Sequence, residues 1–120
     1  MKVAFPTPAE LATRKRVITR RTGTIVAFYT TNSFFEYEKE RLLASARYLG
    51  LKIICIAVDD SGSWVRNAGK KSGVLLQQRK ILRGPLLYVD VDTVLHRDPW
   101  SELLPIRNDI SVYYEKSGIF

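Results

Sequence analysis

Leu86-Leu87-Tyr88-Val89-Asp90-Val91-Asp92-Thr93-Val94-Leu95 runs an apolar segment straight into a pair of carboxylates. Leu86 to Val89 reads as a buried strand. In extended backbone, residues i and i+2 share a side. Asp90 and Asp92 are therefore expected to present both carboxylates to one point just past the strand. Two like charges held together need a positive partner. A hard divalent cation, Mg²⁺ or Mn²⁺, suits carboxylate oxygens. Open α/β sheets take their ligands at the carboxyl ends of their strands. The pair thus points to a metal-assisted site for a phosphorylated ligand. The plainer alternative is a polar loop start, but apolar residues resume at Val94 and Leu95, which favours the site.

Upstream, Thr24-Ile25-Val26-Ala27-Phe28-Tyr29-Thr30 is rich in β-branched and aromatic residues and reads as a strand. Thr30 to Ser33 supplies a turn and a cap. Phe35, Leu42, Leu43, Ala46 and Leu49 then recur at helical spacing from Phe34 to Leu49, and Gly50 stops the helix. Leu51 to Val58 is a second strand, nearly all apolar, as expected with both faces covered. Asp59 to Ser63 reads as a loop. Ser72 to Leu82 reads as a second helix, and Arg83-Gly84-Pro85 ends it ahead of the strand that carries the acid pair. Asp98-Pro99-Trp100 begins a single turn toward Leu104, and Asp109 to Tyr114 reads as a fourth short strand. Trp100, Tyr113 and Tyr114 read as packing residues. Alternating strands and helices imply right-handed crossovers and a parallel sheet.

The chain has 120 residues, the size of one domain. Most of its formal charge of +7 lies in residues 1–22, where Lys2, Arg14, Lys15, Arg16, Arg20 and Arg21 face Glu10 alone. This segment is expected to be a basic N-terminal extension, with a short helix from Pro8 to about Arg16, before a single domain at 23–120. A basic arm can touch nucleic acid or an anionic surface. It has no interleaved aromatics beyond Phe5 to stack on bases, which argues against nucleic acid. The single cysteine, Cys55, lies in an apolar run and reads as a core residue. The single histidine, His96, excludes a zinc site built on several histidines and reads as structural, with metal ligation as the alternative. No stretch is apolar enough for a membrane span, and Pro6, Pro8 and Glu10 interrupt any signal-peptide core. A cytoplasmic location is expected. No glycine-rich dinucleotide or Walker-type loop follows Thr30.

The order of these elements, with Gly62-Ser63-Trp64-x-x-Asn67-x-x-x-Lys71, then Gly84-Pro85-Leu86-Leu87-Tyr88-Val89-Asp90-Val91-Asp92 and Asp98-Pro99, resembles the nucleotide-diphospho-sugar transferases, the GT-A-fold glycosyltransferases. The resemblance runs from about Thr24 to Tyr114. It implies a Rossmann-like, mostly parallel sheet flanked by helices, of GT-A type but truncated. It also implies a nucleoside-diphosphate sugar as donor, an acceptor of unknown identity, and Mn²⁺ or Mg²⁺ held by Asp90 and Asp92. Lys71 takes the place of a lysine near the nucleotide or its phosphates. Tyr29, Thr30 and Asp59 would line the nucleobase and ribose. Read without the family, Lys71 is a solvated lysine, Asn67 a loop residue and Trp64 a packing residue. Two departures stand out. Ser72 follows Lys71 where related sequences often have proline, and only residues 93–120 follow the acid pair. The resemblance therefore covers half of such an enzyme, to be completed by a second chain or copy, or a domain that binds without turnover.

Asp90-Val91-Asp92-Thr93-Val94-Leu95 also resembles the first motif of haloacid-dehalogenase-type phosphatases, with Asp90 as nucleophile and Asp92 as general acid. That motif usually sits on the first strand, whereas here it follows the third. Downstream there is only Lys116 and no paired acids. A third alternative is a non-catalytic basic module working through its N-terminal arm.

Overall fold

A computed structural model describes residues 7–9, 23–112, 114–115 and 118–119. The elements are β1 (Thr24–Thr30), α1 (Phe35–Tyr48), β2 (Ile53–Val58), α2 (Trp64–Gly69), α3 (Lys71–Ile81), β3 (Leu86–Tyr88), α4 (Trp100–Leu103), β4 (Tyr114–Glu115) and β5 (Gly118–Ile119). The first three strands form a parallel sheet in the order β2-β1-β3. The chain is an α/β fold, a three-stranded parallel sheet flanked by helices and compatible with a Rossmann-like architecture.

Alternation along β1 sends its side chains to two covered faces. Ile25 and Ala27 pack with Leu42, Ala46 and Leu49 of α1, and Ile25, Val26 and Ala27 are fully buried. Val26 points the other way, toward the face crossed by α3, whose Val74 is buried. Leu42, Ala46 and Leu49 recur at i, i+4 and i+7, so they form one stripe along α1. Gly50, at φ +69°, turns the chain out of that helix as the spacing predicts.

Ser45 lies in the same buried stripe, a position that periodicity assigns to an apolar residue. Its Oγ donates to the Leu42 carbonyl at 2.8 Å and accepts from the Leu95 N–H at 3.0 Å. It thereby ties the segment after the acid pair to α1. Trp100 is also buried beside Ile25, Ala46, Leu49 and Leu51. It needs Gly23 beneath it, because a Cβ there would stand 2.4 Å from the indole ring.

Several expectations are corrected. The second strand starts at Ile53 rather than Leu51, and its residues are mostly half-buried rather than covered on both faces, because β2 is an edge of the described sheet. Residues 64–69, to which the sequence pattern assigns no element, form α2, a helix too short to show apolar periodicity. Residues 109–112 form no strand. Strands occur at Tyr114–Glu115 and Gly118–Ile119, paired antiparallel in a sheet of their own. The single turn predicted after Asp98 is α4, and Asp98 Oδ1 accepts from the Trp100 N–H at 2.8 Å. Pro8 and Ala9 are helical as expected. The rest of the predicted N-terminal helix, and Tyr113, lie outside the described residues. Among the described residues no helix is long and apolar enough to cross a membrane.

Replacing Ser45 with Ala strands the Leu95 N–H in a partly buried position. We expect a loss of about 1–3 kcal/mol in unfolding free energy, with faster amide exchange at Leu95. Denaturant titration and hydrogen exchange check both.

Candidate functional site

In a parallel sheet ordered β2-β1-β3, the crossover through α1 leaves β1 on one side and the crossover through α3 returns on the other. A crevice therefore opens past the carboxyl ends of β1 and β3, where ligands of open α/β sheets bind. A cleft of about 330 Å³ lies there. It is lined by Phe28, Tyr29 and Thr30 from the end of β1, Phe35 from the start of α1, and Tyr88, Asp90, Val91 and Asp92 from β3 and the turn after it. Trp64, Asn67 and Ala68 of α2 and Lys71 of α3 complete it.

The same topology explains why α1 and α3 contribute their first residues. A crossover helix runs back against the strand direction, so it begins at the carboxyl edge of the sheet. Phe35 and Lys71 open their helices and so stand at the cleft.

The acid pair reaches the cleft by a route different from the one predicted. β3 ends at Tyr88, and Asp90 to Thr93 form a turn closed by the Thr93 N–H to the Asp90 carbonyl at 3.0 Å. Extended-strand alternation thus does not place the two carboxylates. Val91, between them, is buried against Ala27 and Leu42. With that residue anchored inward, Asp90 and Asp92 are left exposed at the cleft.

Lys71 Nζ lies 3.4 Å from Asp90 Oδ1 and 5.0 Å from the centroid of the Tyr88 ring. The cation thus sits between a carboxylate and an aromatic face, a favourable electrostatic position for both contacts. Burial, reinforced by the Asp90 and Asp92 carboxylates, pushes the Tyr88 phenol well above its usual range. It stays protonated at neutral pH, able to donate a hydrogen bond. On the other side Lys39 Nζ lies 4.9 Å from the Tyr29 ring centroid. Thr30 is buried and lines the cleft, and its Oγ1 is 3.1 Å from Ser33 Oγ, which donates to the Thr30 carbonyl at 2.6 Å and accepts from the Phe35 N–H at 3.2 Å at the start of α1.

Among the described residues no group of three or more His, Cys, Asp and Glu side chains comes together as a metal cage. The donor set at the cleft is the two carboxylates of Asp90 and Asp92. That fits Mg²⁺ or Mn²⁺ in one respect: such ions keep several waters and take one or two carboxylates plus phosphate oxygens from a ligand. It does not fit zinc, which takes three or four protein ligands.

Of the site residues expected from the sequence, Tyr29, Thr30, Lys71, Asp90 and Asp92 share this cleft; Trp64 and Asn67, expected as a packing and a loop residue, line it too, from α2, with Trp64 exposed rather than packed. Asp59 does not line it. Asp59 is exposed, and its backbone carbonyl accepts from Lys70 Nζ. Phe28, Phe35 and Tyr88 were missed as lining residues, since each reads as an ordinary strand or helix aromatic. Cys55 takes no part; burial pushes its thiol up to about 11, as befits a packed residue. Compared with protein-family models, curated proteins and solved structures, the chain matches none.

Because Asp90 is exposed and Lys71 partly so, their pair contributes little to folding. Lys71→Met is expected to change unfolding free energy by less than about 1 kcal/mol, measured by denaturant titration. A larger loss would make Lys71 a structural residue.

Proposed function

We propose that this chain is a GT-A-type glycosyltransferase domain, in the sense of its nucleotide-binding half. It binds a nucleoside-diphosphate sugar with Mn²⁺ or Mg²⁺ on Asp90 and Asp92 and passes the sugar to an acceptor. One observation carries the reading: two carboxylates, a lysine and several aromatic rings meet in a single cleft at the switch point of a parallel sheet. Each component suits one part of such a donor. The carboxylates suit a cation, the lysine a diphosphate, and the rings a base or sugar face.

When bound, the cation would offset the negative charge that grows on the departing nucleoside diphosphate. Lys71, beside Asp90, serves the same charge. It is held at Asp90 and over Tyr88, within reach of any phosphate that enters between them. The buried Val91 and the Ser45–Leu95 hydrogen bond hold the acid turn against the core. That preorganisation lets both acids meet the donor without refolding. The outer edges of β2 and β3 are unpaired among the described residues, which supports completion of the sheet by a further chain or a second copy. A cytoplasmic location accompanies the reading, supported by the free cysteine Cys55.

Calorimetric titration with UDP and with GDP, in Mn²⁺ and in EDTA, tests this proposal. Binding of at least one nucleotide in Mn²⁺ and its loss in EDTA are expected. Asp90→Asn and Asp92→Asn should each weaken binding by at least about tenfold while the thermal transition stays in place. Unchanged affinity in Asp92→Asn would sink the reading.

A further inference from the structure

Trp64 is 79% exposed, although tryptophan is among the costliest side chains to leave in water. It is nonetheless not on a loose loop. It opens α2, and the loop before it is tied by a hydrogen-bonded knot centred on Asn67. Asn67 Nδ2 donates to Asp60 Oδ1 at 2.9 Å. Asn67 Oδ1 accepts from the Ser61 N–H at 2.9 Å and from Ser61 Oγ at 2.7 Å. Asp60 Oδ1 also accepts from the Gly62 N–H at 2.8 Å, and Ser63 Oγ caps the helix through the Arg66 N–H at 3.4 Å. Lys70 closes the far end onto the Asp59 carbonyl. The Asn67 amide, helped by the Gly62 N–H, holds the Asp60 carboxyl below its usual range. The knot therefore keeps its charge-assisted bonds throughout the neutral range and loses them only in acid.

A solvent-facing indole on the wall of a cleft, carried by backbone that is tied down by hydrogen bonds, is what a flat ligand needs. Stacking on an exposed ring removes apolar surface from both partners. The same cleft also carries the phosphate-type chemistry of Lys71, Asp90 and Asp92. A molecule with a flat aromatic group at one end and a diphosphate at the other would satisfy both.

We infer that Trp64 is the stacking platform for the nucleobase of the donor and that Asn67 is a positioning residue that fixes the platform. This rests on the nucleotide reading above and gives it a residue for the base. Asp59, which the family resemblance implies near the nucleoside, holds the platform instead, through its backbone carbonyl. Stacking on an indole is tolerant of base identity, because every base has a π face. The platform therefore selects for a base over no base rather than uracil over guanine.

The test compares nucleotides with inorganic pyrophosphate, which has no base. The full chain in Mn²⁺ is titrated calorimetrically with UDP, GDP and pyrophosphate. Trp64→Ala is expected to weaken UDP and GDP by roughly tenfold and to leave pyrophosphate unchanged. Trp64→Phe keeps a ring and should recover most of the lost affinity. Asn67→Ala should give a smaller loss of the same kind, again sparing pyrophosphate, with Trp64 emission more readily quenched by acrylamide. Equal loss for nucleotide and pyrophosphate, or no loss for either, would overturn the stacking role while leaving nucleotide binding in place. Failure of the unaltered chain to bind both pyrophosphate and nucleotides would instead remove the nucleotide reading, and the platform with it.

Discussion

Strand β1 has a parallel neighbour on each edge, and the rest of the fold follows from that constraint. A parallel neighbour cannot be reached by a hairpin, so each connection must cross a face of the sheet. Two crossovers to opposite edges need a helix on each face. β1 must then be apolar on both sides, and Ile25, Val26 and Ala27 are fully buried in succession. The same order, β2-β1-β3, splits the carboxyl ends of β1 and β3 and leaves a crevice that no connection fills. Core and site are thus two results of one topology.

Where the sequence pattern reports burial, the fold was readable in it. β1, α1 and α3 came from β-branched runs and helical spacing, and Gly50 from its place after the last apolar residue. The pattern failed where short range or hydrogen bonding decides the structure. α2 spans six residues, too few for periodicity, and rests on Ser63 and on Asn67's side-chain bonds. Ser45 occupies a core position because the Leu95 N–H needs an acceptor there, a long-range demand that no local window contains. β2 and β3 read as fully buried, since composition cannot tell an edge strand from a central one before the strand order is known.

The site was partly legible for a similar reason. Five of the site residues expected from sequence meet in the cleft: Tyr29, Thr30, Lys71, Asp90 and Asp92. The acid pair was placed correctly past the strand, but by a false geometry. A turn with Val91 turned into the core, not strand alternation, exposes the two acids. Lys71 had no local signal beyond the resemblance. Its place at the cleft comes from being the first residue of a crossover helix, which a chain read one segment at a time does not show. Phe28, Phe35 and Tyr88 were hidden because an aromatic in a strand or helix reads first as packing.

Charge explains how this cleft is stable before any ligand arrives. Asp90 and Asp92 stand two residues apart, and neither is driven into the core. Both are exposed, so water screens their repulsion, and Lys71 neutralises one of them at a cost small enough to be reversible. A buried pair of acids would have to keep a proton on one of them or gain a permanent cationic partner. An exposed pair with a removable lysine needs neither. The Lys71–Asp90 pair at the cleft is thus a weak, solvent-exposed interaction, while the frame behind it, Val91 in the core and Leu95 on Ser45, is held by contacts with buried residues.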